Sequence, residues 1–382
     1  MDYILAVDDN PKNIQVLGNL LKNENYKVEF ALNGKSALEW LQRREFDLVL
    51  LDVMMPEIDG FEVCRRIKQD PVLRHIPIIF ITARDDEESI VSGFKSGAVD
   101  YITKPFKRNE LLSRVSTHLE LKKAREEIAL KNKSITSSIN YARRIQQSIL
   151  PSDEMIKKIL PESFVLYRPK EIIGGDFFWI HNIGDKIIVA VADCTGHGVP
   201  GSIVSMLGIS LLNEIFWKKN MYNADEILRE LRKKIKLTFY RQDQNFTQRD
   251  GMDMALCVID KKKKQLQYAG ALMPLILIRN NDIIEIKGDK QSVALYKEEV
   301  DFTAHLINYG PTDLFYLYSD GIINQFREND SEKFKTRRFK ELLLEIHHLP
   351  IQNQGKFIEE RFEKWRGKRD LLDDVCVFGF SV

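Results

Sequence analysis

The chain has 382 residues, 44% of them hydrophobic, enough for two domains each with its own core. Lysine plus arginine (57) nearly balances aspartate plus glutamate (56), so a net charge of +1 gives no global attraction to nucleic acid or to an anionic membrane. The cysteines Cys64, Cys194, Cys257 and Cys376 lack CxxC spacing, which argues against a disulfide framework or a thiolate zinc site and suits a reducing compartment. The N-terminus enters a strand pattern without a basic stretch and apolar core, and runs such as IPIIFITA fall well short of the ~20 residues of a membrane helix. A cytoplasmic protein with no nucleic-acid or membrane partner is expected.

Up to residue 120, strand-like runs (Tyr3 to Val7, Lys27 to Ala31, Asp47 to Leu51, Pro77 to Ile81, Val99 to Thr103) alternate with amphipathic helical stretches. The alternation predicts an α/β doubly wound domain, a parallel five-stranded sheet covered on both faces. Ligands of such sheets collect at the carboxyl ends of strands, where Asp8, Asp9, Asp52, Thr82 and Lys104 all fall. Carboxylates gathered there repel one another unless a divalent cation neutralises them, and oxygen-only ligands suit magnesium. With Asp52 closing the run FDLVLLD, the set reads as a site that accepts a phosphoryl group.

Residues 1–120 resemble a response-regulator receiver domain, with every diagnostic position filled. The resemblance implies a sensor histidine kinase as partner and Asp52 as phosphoacceptor, with Asp8, Asp9, Asp52 and the Met54 carbonyl holding magnesium. It also implies that Lys104 pairs with the phosphoryl oxygens, that Thr82 hydrogen-bonds one of them, that Tyr101 is the switch aromatic, and that Lys104-Pro105 is cis. On its residues alone, Tyr101 reads equally as a half-buried tyrosine on an edge strand. A phosphoryl group brings about −1.5 to −2 charges and three acceptor oxygens, enough to draw Thr82 and Lys104 inward.

From Phe106 to Leu150 there is neither glycine nor proline, and strong helix formers dominate, so one long helix leaves the receiver. Leu121, Ile128, Ile135, Ala142 and Ile149 recur at the coiled-coil period and predict a homodimer through this linker. The second seam position mixes Ala124, Lys131, Ser138 and Ile145, which makes the seam weak and switchable. The alternative is a spacer docked on one of its own domains.

Beyond Pro151, stretches such as KIIVAVADC and PLILIRNNDIIEIKG predict strands, with hairpins at Lys261–Lys264 and Asn280-Asn281. Helices begin near Pro200 and span Ala224 to Tyr240. The lysine run lacks aromatic interleaving or a second basic cluster and reads as a solvated hairpin tip. The chemistry sits in GGDFFW (Asp176), VADCTGHG (Asp193), LYSDGI (Asp320) and DDVCVFGF (Asp373, Asp374). Carboxylates at strand ends, with His197 the sole histidine among these motifs, suit magnesium or manganese. Two such ions ~3.5–4 Å apart would share a water, lower its pKa and clamp a phosphate.

These motifs, in this order, resemble the metal-dependent protein phosphatases of the PPM class, in the bacterial branch named after SpoIIE. The resemblance runs from about Ser138 to Val382, with SINYARRIQQSILP as the helical lead-in. The expected architecture is a receiver domain (1–120), a helical coiled-coil linker (121–150) and an α+β PPM-type phosphatase sandwich (151–382). The resemblance implies that Asp193 bridges two manganese or magnesium ions, that the Cys194 carbonyl ligates one, and that Asp320 and Asp373 hold the other. Asp176 acts on a metal directly or through water, and the choice between Asp373 and Asp374 stays open.

His197 reads as a loop-ordering residue, with proton donation to the leaving oxygen as the alternative. Arg168 is a weak candidate for phosphate contact, because the branch generally lacks the phosphate-binding arginine of its eukaryotic relatives. Two positions depart from the branch: AGALMP (Ala269 to Pro274) replaces an AGANNP-like turn, and Ser292-Val293-Ala294 replaces a Pro-Ile-Gly turn. Both loops are expected to bear on substrate recognition and to touch no metal ligand.

The resemblance implies a two-component protein serine/threonine phosphatase controlled by Asp52, with a phosphorylated anti-anti-sigma (STAS-type) protein as substrate in a partner-switching pathway. Phosphorylation is expected to activate, although inhibition would use the same parts. A non-catalytic adaptor with a degenerate phosphatase domain is the alternative. A DNA-binding regulator would need a helix-turn-helix and a basic face, and neither is visible.

Overall fold

Residues of the first strand go alternately to opposite faces, as the period-two geometry of a strand requires. In β1 (Tyr3–Val7), Leu5 and Val7 join one buried cluster while Ile4 and Ala6 join another. This computed structural model describes residues 1–83, 93–105, 107–219, 221–239, 250–294 and 299–382. The chain divides into two compact units, Met1–Ile135 and Thr136–Val382.

In the first unit, β1, β2 (Lys27–Ala31), β3 (Leu48–Asp52), β4 (Ile78–Thr82) and β5 (Asp100–Thr103) form the expected parallel sheet, in the order β2-β1-β3-β4-β5. Strands β3 and β4 end one residue later than their apolar runs, so that Asp52 and Thr82 are the terminal residues of their strands. Helices α1 (Pro11–Lys22), α2 (Gly34–Arg43) and α3 (Gly60–Gln69) start on the side chains of Asn10, Asn33 and Asp59, each accepting a backbone N–H of its first turn. The fourth helix, α4 (Arg108–Ile149), begins by burying Leu111, Val115 and Leu119 on the sheet. Phe106, the expected first residue of that helix, lies outside the described residues.

Along α4 the seam positions Leu121, Ile128 and Ile135 are 47%, 58% and 57% exposed, so within one chain the stripe is uncovered. The division between the units falls inside this helix. A short α5 (Asp153–Ile159) follows, capped by the Ser152 hydroxyl.

The second unit holds two antiparallel sheets. One has the order β13-β10-β9-β8-β7 and the other β12-β11-β14-β15-β6. The first is built from β7 (Phe177–Ile183), β8 (Lys186–Cys194), β9 (Met252–Asp260), β10 (Gln265–Ala271) and β13 (His305–Asn308). The second is built from β6 (Ser163–Arg168), β11 (Leu275–Arg279), β12 (Asp282–Ile286), β14 (Leu314–Tyr318) and β15 (Val375–Phe380). Alternation again assigns the faces. Leu275, Leu277, Phe315, Leu317 and Phe378 pack with β7 to β10, while Ile276, Ile278, Tyr316, Tyr318 and Val377 pack outward on helices. The result is a sandwich with helices on both outer faces.

Helices α6 (Gly198–Lys219) and α7 (Ala224–Phe239) cover the first sheet; after the one-turn α8 (Gly321–Asn324), α9 (Lys335–Ile346) and α10 (Ile351–Arg366) cover the second. By length and composition, Gly198–Trp217 of α6 could cross a membrane, but half of that window is buried within this unit, where it packs on β7, β8 and α7. Both expected hairpins form, and Asn280 and Asn281 take φ of 51° and 66°, the left-handed pair that a two-residue turn demands. Tyr240, the expected end of α7, lies outside the described residues.

Candidate functional site

The first site lies at the carboxyl end of the parallel sheet. Asp52 is 3% exposed, and Asp8, one residue past β1 on the neighbouring strand, is fully buried. Two buried carboxylates of like charge need a counter-charge. Lys104 supplies it, with Nζ 2.7 Å from Asp52 Oδ2 and 2.8 Å from Asp8 Oδ2. Burial raises the Asp52 carboxyl above its usual range; the Lys104 ammonium opposes that and Asp8 adds to it. Burial works against the Lys104 charge too, but the bonds to Asp52 and Asp8 outweigh it and hold its pKa up.

Asp9 is exposed at the mouth. Among the described residues, Asp8, Asp9 and Asp52 form the only trio whose ligand atoms all lie within 4.8 Å of one another, and an oxygen-only set of that size fits magnesium. The Met54 N–H donates to Asp52 Oδ1 at 3.3 Å, which lays the Met54 backbone against the acceptor. Thr82 and Tyr101 line one cavity with Phe61, Phe80 and Phe94. Tyr101 is half-buried on the edge strand, its ring edge-on to Phe94 at 6.3 Å. Lys104-Pro105 is cis.

The second site lies at one end of the sandwich, where strands from both sheets stop. Asp176 immediately precedes β7, Asp193 is near the end of β8, Asp320 stands directly before α8 and two residues past β14, and Asp373 stands two residues before β15. Antiparallel pairing brings the end of β8 beside the start of β7, and the end of β14 beside the start of β15. Asp176 is 2% exposed, and among the described residues its Oδ2 has no hydrogen-bond partner. Burial, with Asp193 next in weight, pushes the Asp176 carboxyl far above its usual range; burial with Asp320 and Asp373 does the same to Asp193. An orphaned buried oxygen among mutually repelling carboxylates is what a divalent cation would relieve, so the donor set fits magnesium or manganese. The Cys194 thiol is buried and burial raises it, which leaves that residue its carbonyl as the useful donor.

Asp373 and Asp374 separate clearly. Asp374 is 1% exposed and accepts backbone N–H groups of Lys170 at 2.7 Å, Gly175 at 2.5 Å and Asp176 at 3.4 Å. Its oxygens thus anchor the loop that carries Asp176. Gly175 is required there, because a Cβ would lie 2.6 Å from the Gly196 carbonyl oxygen. The Asp373 carboxylate accepts only the next residue's N–H among the described residues, and remains available to a metal.

His197 Nδ1 lies 2.6 Å from Glu171 Oε1, tying the loop after β8 to the loop before Asp176. Arg168 is ion-paired to Glu359. In the AGALMP turn Leu272 takes a φ of 61° with its side chain 46% exposed. The Ser292 hydroxyl bonds Asp253 Oδ1, so the second departure reaches the carboxylate cluster.

The family model of stage II sporulation protein E (SpoIIE) matches residues 183–382, more than half of the chain. The chain belongs to the SpoIIE family. A response regulator receiver domain matches residues 4–116. Among solved structures, the SiaA-PP2C domain of Pseudomonas aeruginosa is 27% identical with a TM-score of 0.61, covering 66% of this chain and 99% of that one. Response regulator PleD of Caulobacter vibrioides is 43% identical over 125 residues, 33% of this chain and 28% of PleD. A Vibrio cholerae protein named "Probable cyclic di-GMP phosphodiesterase" is 42% identical over 136 residues, 36% of this chain and 31% of that protein. The chain thus spans about a third of the length of these curated relatives. This SpoIIE-family chain joins a receiver domain to a PPM-type phosphatase domain.

Sequence reasoning did not single out Asp253, Gln146, Asn324 or Lys333, all of which the structure places around the second site. Asp253 pairs with Asp193 in the β8–β9 register, and burial raises its carboxyl. A lone aspartate opening the apolar strand MDMALCVI was the available signal. Gln146, 2% exposed, donates to the Gly174 carbonyl at 2.7 Å and to Ser205 Oγ at 2.9 Å. Asn324 donates to Asp320 Oδ2 at 2.8 Å and accepts from Lys333 Nζ at 2.9 Å. Burial and Asp373 raise the Asp320 carboxyl, and the Lys333 charge counters them.

Proposed function

We propose that this chain is a response regulator in which phosphorylation of Asp52 controls metal-dependent hydrolysis of phosphoserine or phosphothreonine on a partner protein. The observation that carries the reading is the acidic set of buried Asp176, half-buried Asp193 and Asp373 and rim-exposed Asp320, with an Asp176 oxygen that has no hydrogen-bond partner among the described residues, in a chain that also carries the Asp8–Asp52–Lys104 site. Two manganese or magnesium ions held by these aspartates and the Cys194 carbonyl would supply an activated water and a clamp for the phosphate. The residues' own part is to place the ligands. Asp374 fixes the Asp176 loop, Ser319 supports Asp176, and Asn324 orients Asp320.

Control runs through α4, whose Gln146 holds the carbonyl two residues before Asp176. In the receiver, Asp8, Asp9, Asp52 and the Met54 carbonyl take magnesium, and Thr82, Tyr101 and Lys104 respond to the phosphoryl group. A histidine kinase supplies that group, and the uncovered α4 stripe pairs two copies in the cytoplasm. The substrate is a phosphorylated STAS-type protein of a partner-switching pathway.

The test is hydrolysis of a phosphoserine STAS-type protein with manganese, with and without a small-molecule phosphodonor, beside Asp52→Ala and Asp193→Ala. Donor-dependent turnover lost in both variants supports the reading. Binding of the phosphoprotein without turnover by the wild-type chain would instead make it an adaptor.

A further inference from the structure

The carboxylate cluster leaves one need unmet. A phosphomonoester would arrive as a dianion at a site where the aspartates would offset most of the charge of any bound metals, and a fixed cation at its rim would help to hold it. Arg168 does not serve, since it is ion-paired to Glu359. Arg338 pairs with Glu332 at 2.7 Å.

Lys333 is placed differently. It lies on a hairpin that begins directly after α8, closed by Arg327 N–H to the Glu332 carbonyl at 3.0 Å and Phe334 N–H to the Gln325 carbonyl at 2.9 Å. The hairpin is anchored through Gln325, 1% exposed, which donates to the Asp370 carbonyl at 3.1 Å and accepts the Leu372 N–H at 2.9 Å. Those contacts tie Lys333 to the stretch that carries Asp373. The Lys333 ammonium bonds Asn324 Oδ1 at 2.9 Å, and the same amide donates to Asp320 Oδ2 at 2.8 Å. The Asn324 amide therefore stands between the ammonium and Asp320 and keeps them from closing into an ion pair. Among the described residues that is the ammonium's one hydrogen bond, and a lysine has three donors.

We propose that Lys333 binds the phosphoryl oxygens of the substrate, held at the rim of the metal site by Asn324. The assignment rests on the phosphatase reading above. Lysine suits the task as a compact charge on a flexible stem that can follow the phosphate.

The test uses the full chain loaded with manganese. Inorganic phosphate is titrated calorimetrically into the wild type, Lys333→Met, Lys333→Arg and Asn324→Asp, the last of which gives the ammonium a carboxylate to pair with. KM and kcat for p-nitrophenyl phosphate are measured beside it, with manganese affinity and the thermal midpoint as controls. Loss of one charge-assisted contact should weaken phosphate binding and raise KM about tenfold in Lys333→Met and Asn324→Asp, with kcat falling less and the thermal midpoint kept. Lys333→Arg should stay within about threefold of the wild type. Phosphate binding unchanged in Lys333→Met overturns the proposal, whether or not manganese affinity moves; a change in manganese affinity alone would make Lys333 a support for Asp320. A wild-type chain that binds phosphate through Lys333 without turning over substrate would sink the phosphatase reading and leave the anion site standing.

Discussion

Gln146 Nε2 donates to the Gly174 carbonyl at 2.7 Å, joining the long helix to the loop of Asp176. The same amide reaches Ser205 on α6, and Gln146 is 2% exposed, so the contact is made away from water. Removing it takes the amide donor from the Gly174 carbonyl, while the Ser205 hydroxyl keeps its bond to the Ser202 carbonyl. Gln146→Leu should destabilise the unit by about 1–3 kcal/mol and lower its melting temperature by several degrees. It should also raise the manganese concentration needed for half-maximal hydrolysis. A variant with unchanged melting and unchanged metal demand would remove this helix contact from the control route.

Asp374 accepts three backbone N–H groups from remote residues, and its neighbour Asp373 accepts only that of Asp374 among the described residues. Asp374→Ala strips three backbone N–H groups of their acceptor and should lower the melting temperature with or without metal, by roughly 2–4 kcal/mol. Asp373→Ala should leave the metal-free protein within about 0.5 kcal/mol of wild type and reduce the melting shift on adding manganese. The reverse pattern in a scanning fluorimeter would exchange the two roles.

The metal-free protein should lose stability as pH rises. Burial raises the carboxyls of Asp176, Asp193, Asp253 and Asp320 in the folded state, that of Asp193 to about 8. The folded chain then binds more protons than the unfolded one, whose aspartates titrate near ~3.9, and stability falls through the interval between those values. Metal-free protein should melt higher at pH 6 than at pH 8. Saturating manganese should flatten that slope, and Asp193→Asn should flatten it without metal. A slope of the same steepness in Asp193→Asn would assign the effect elsewhere.

Lys104 carries the charge balance of the receiver site. With Lys104→Met, Asp8 and Asp52 face each other unpaired, and the receiver should lose about 1–3 kcal/mol, a figure tempered by the partial exposure of the lysine. Magnesium should restore most of the loss. Calorimetric melting with and without magnesium reads the difference, and an unaffected melt would mean that the two aspartates need no counter-charge.

The exposed stripe on α4 predicts the assembly state. Ile128→Glu with Ile135→Glu places like charges along the seam and should halve the mass seen by light scattering of the donor-treated chain. An unphosphorylated and a phosphorylated wild type that both scatter as monomers would rule out the dimer.

Much of this was legible from local patterning. Apolar runs closed by an acidic residue, ILAVDD and FDLVLLD, were enough to place Asp8 and Asp52 at the carboxyl ends of strands, because the end of a run is a property of a few consecutive residues; that the two strands are neighbours was decided by the sheet order. The asparagine pair at 280–281 specified its own turn for the same reason. Asp176, Asp193, Asp320 and Asp373 were recognisable as strand-end carboxylates from their flanking residues alone.

Which carboxylate anchors a loop and which stays open for a metal was decided only by the tertiary structure. Asp374 is committed by N–H groups some 200 positions away in the chain, and its neighbour Asp373 is not. Asp253 enters the cluster through the β8–β9 register, Gln146 through a helix brought against the Gly174 loop, and Lys333 through an asparagine shared with Asp320. Such partnerships depend on the closure of long loops and the packing of strands remote in sequence, whereas local patterning reports only the period, the face and the end of each element.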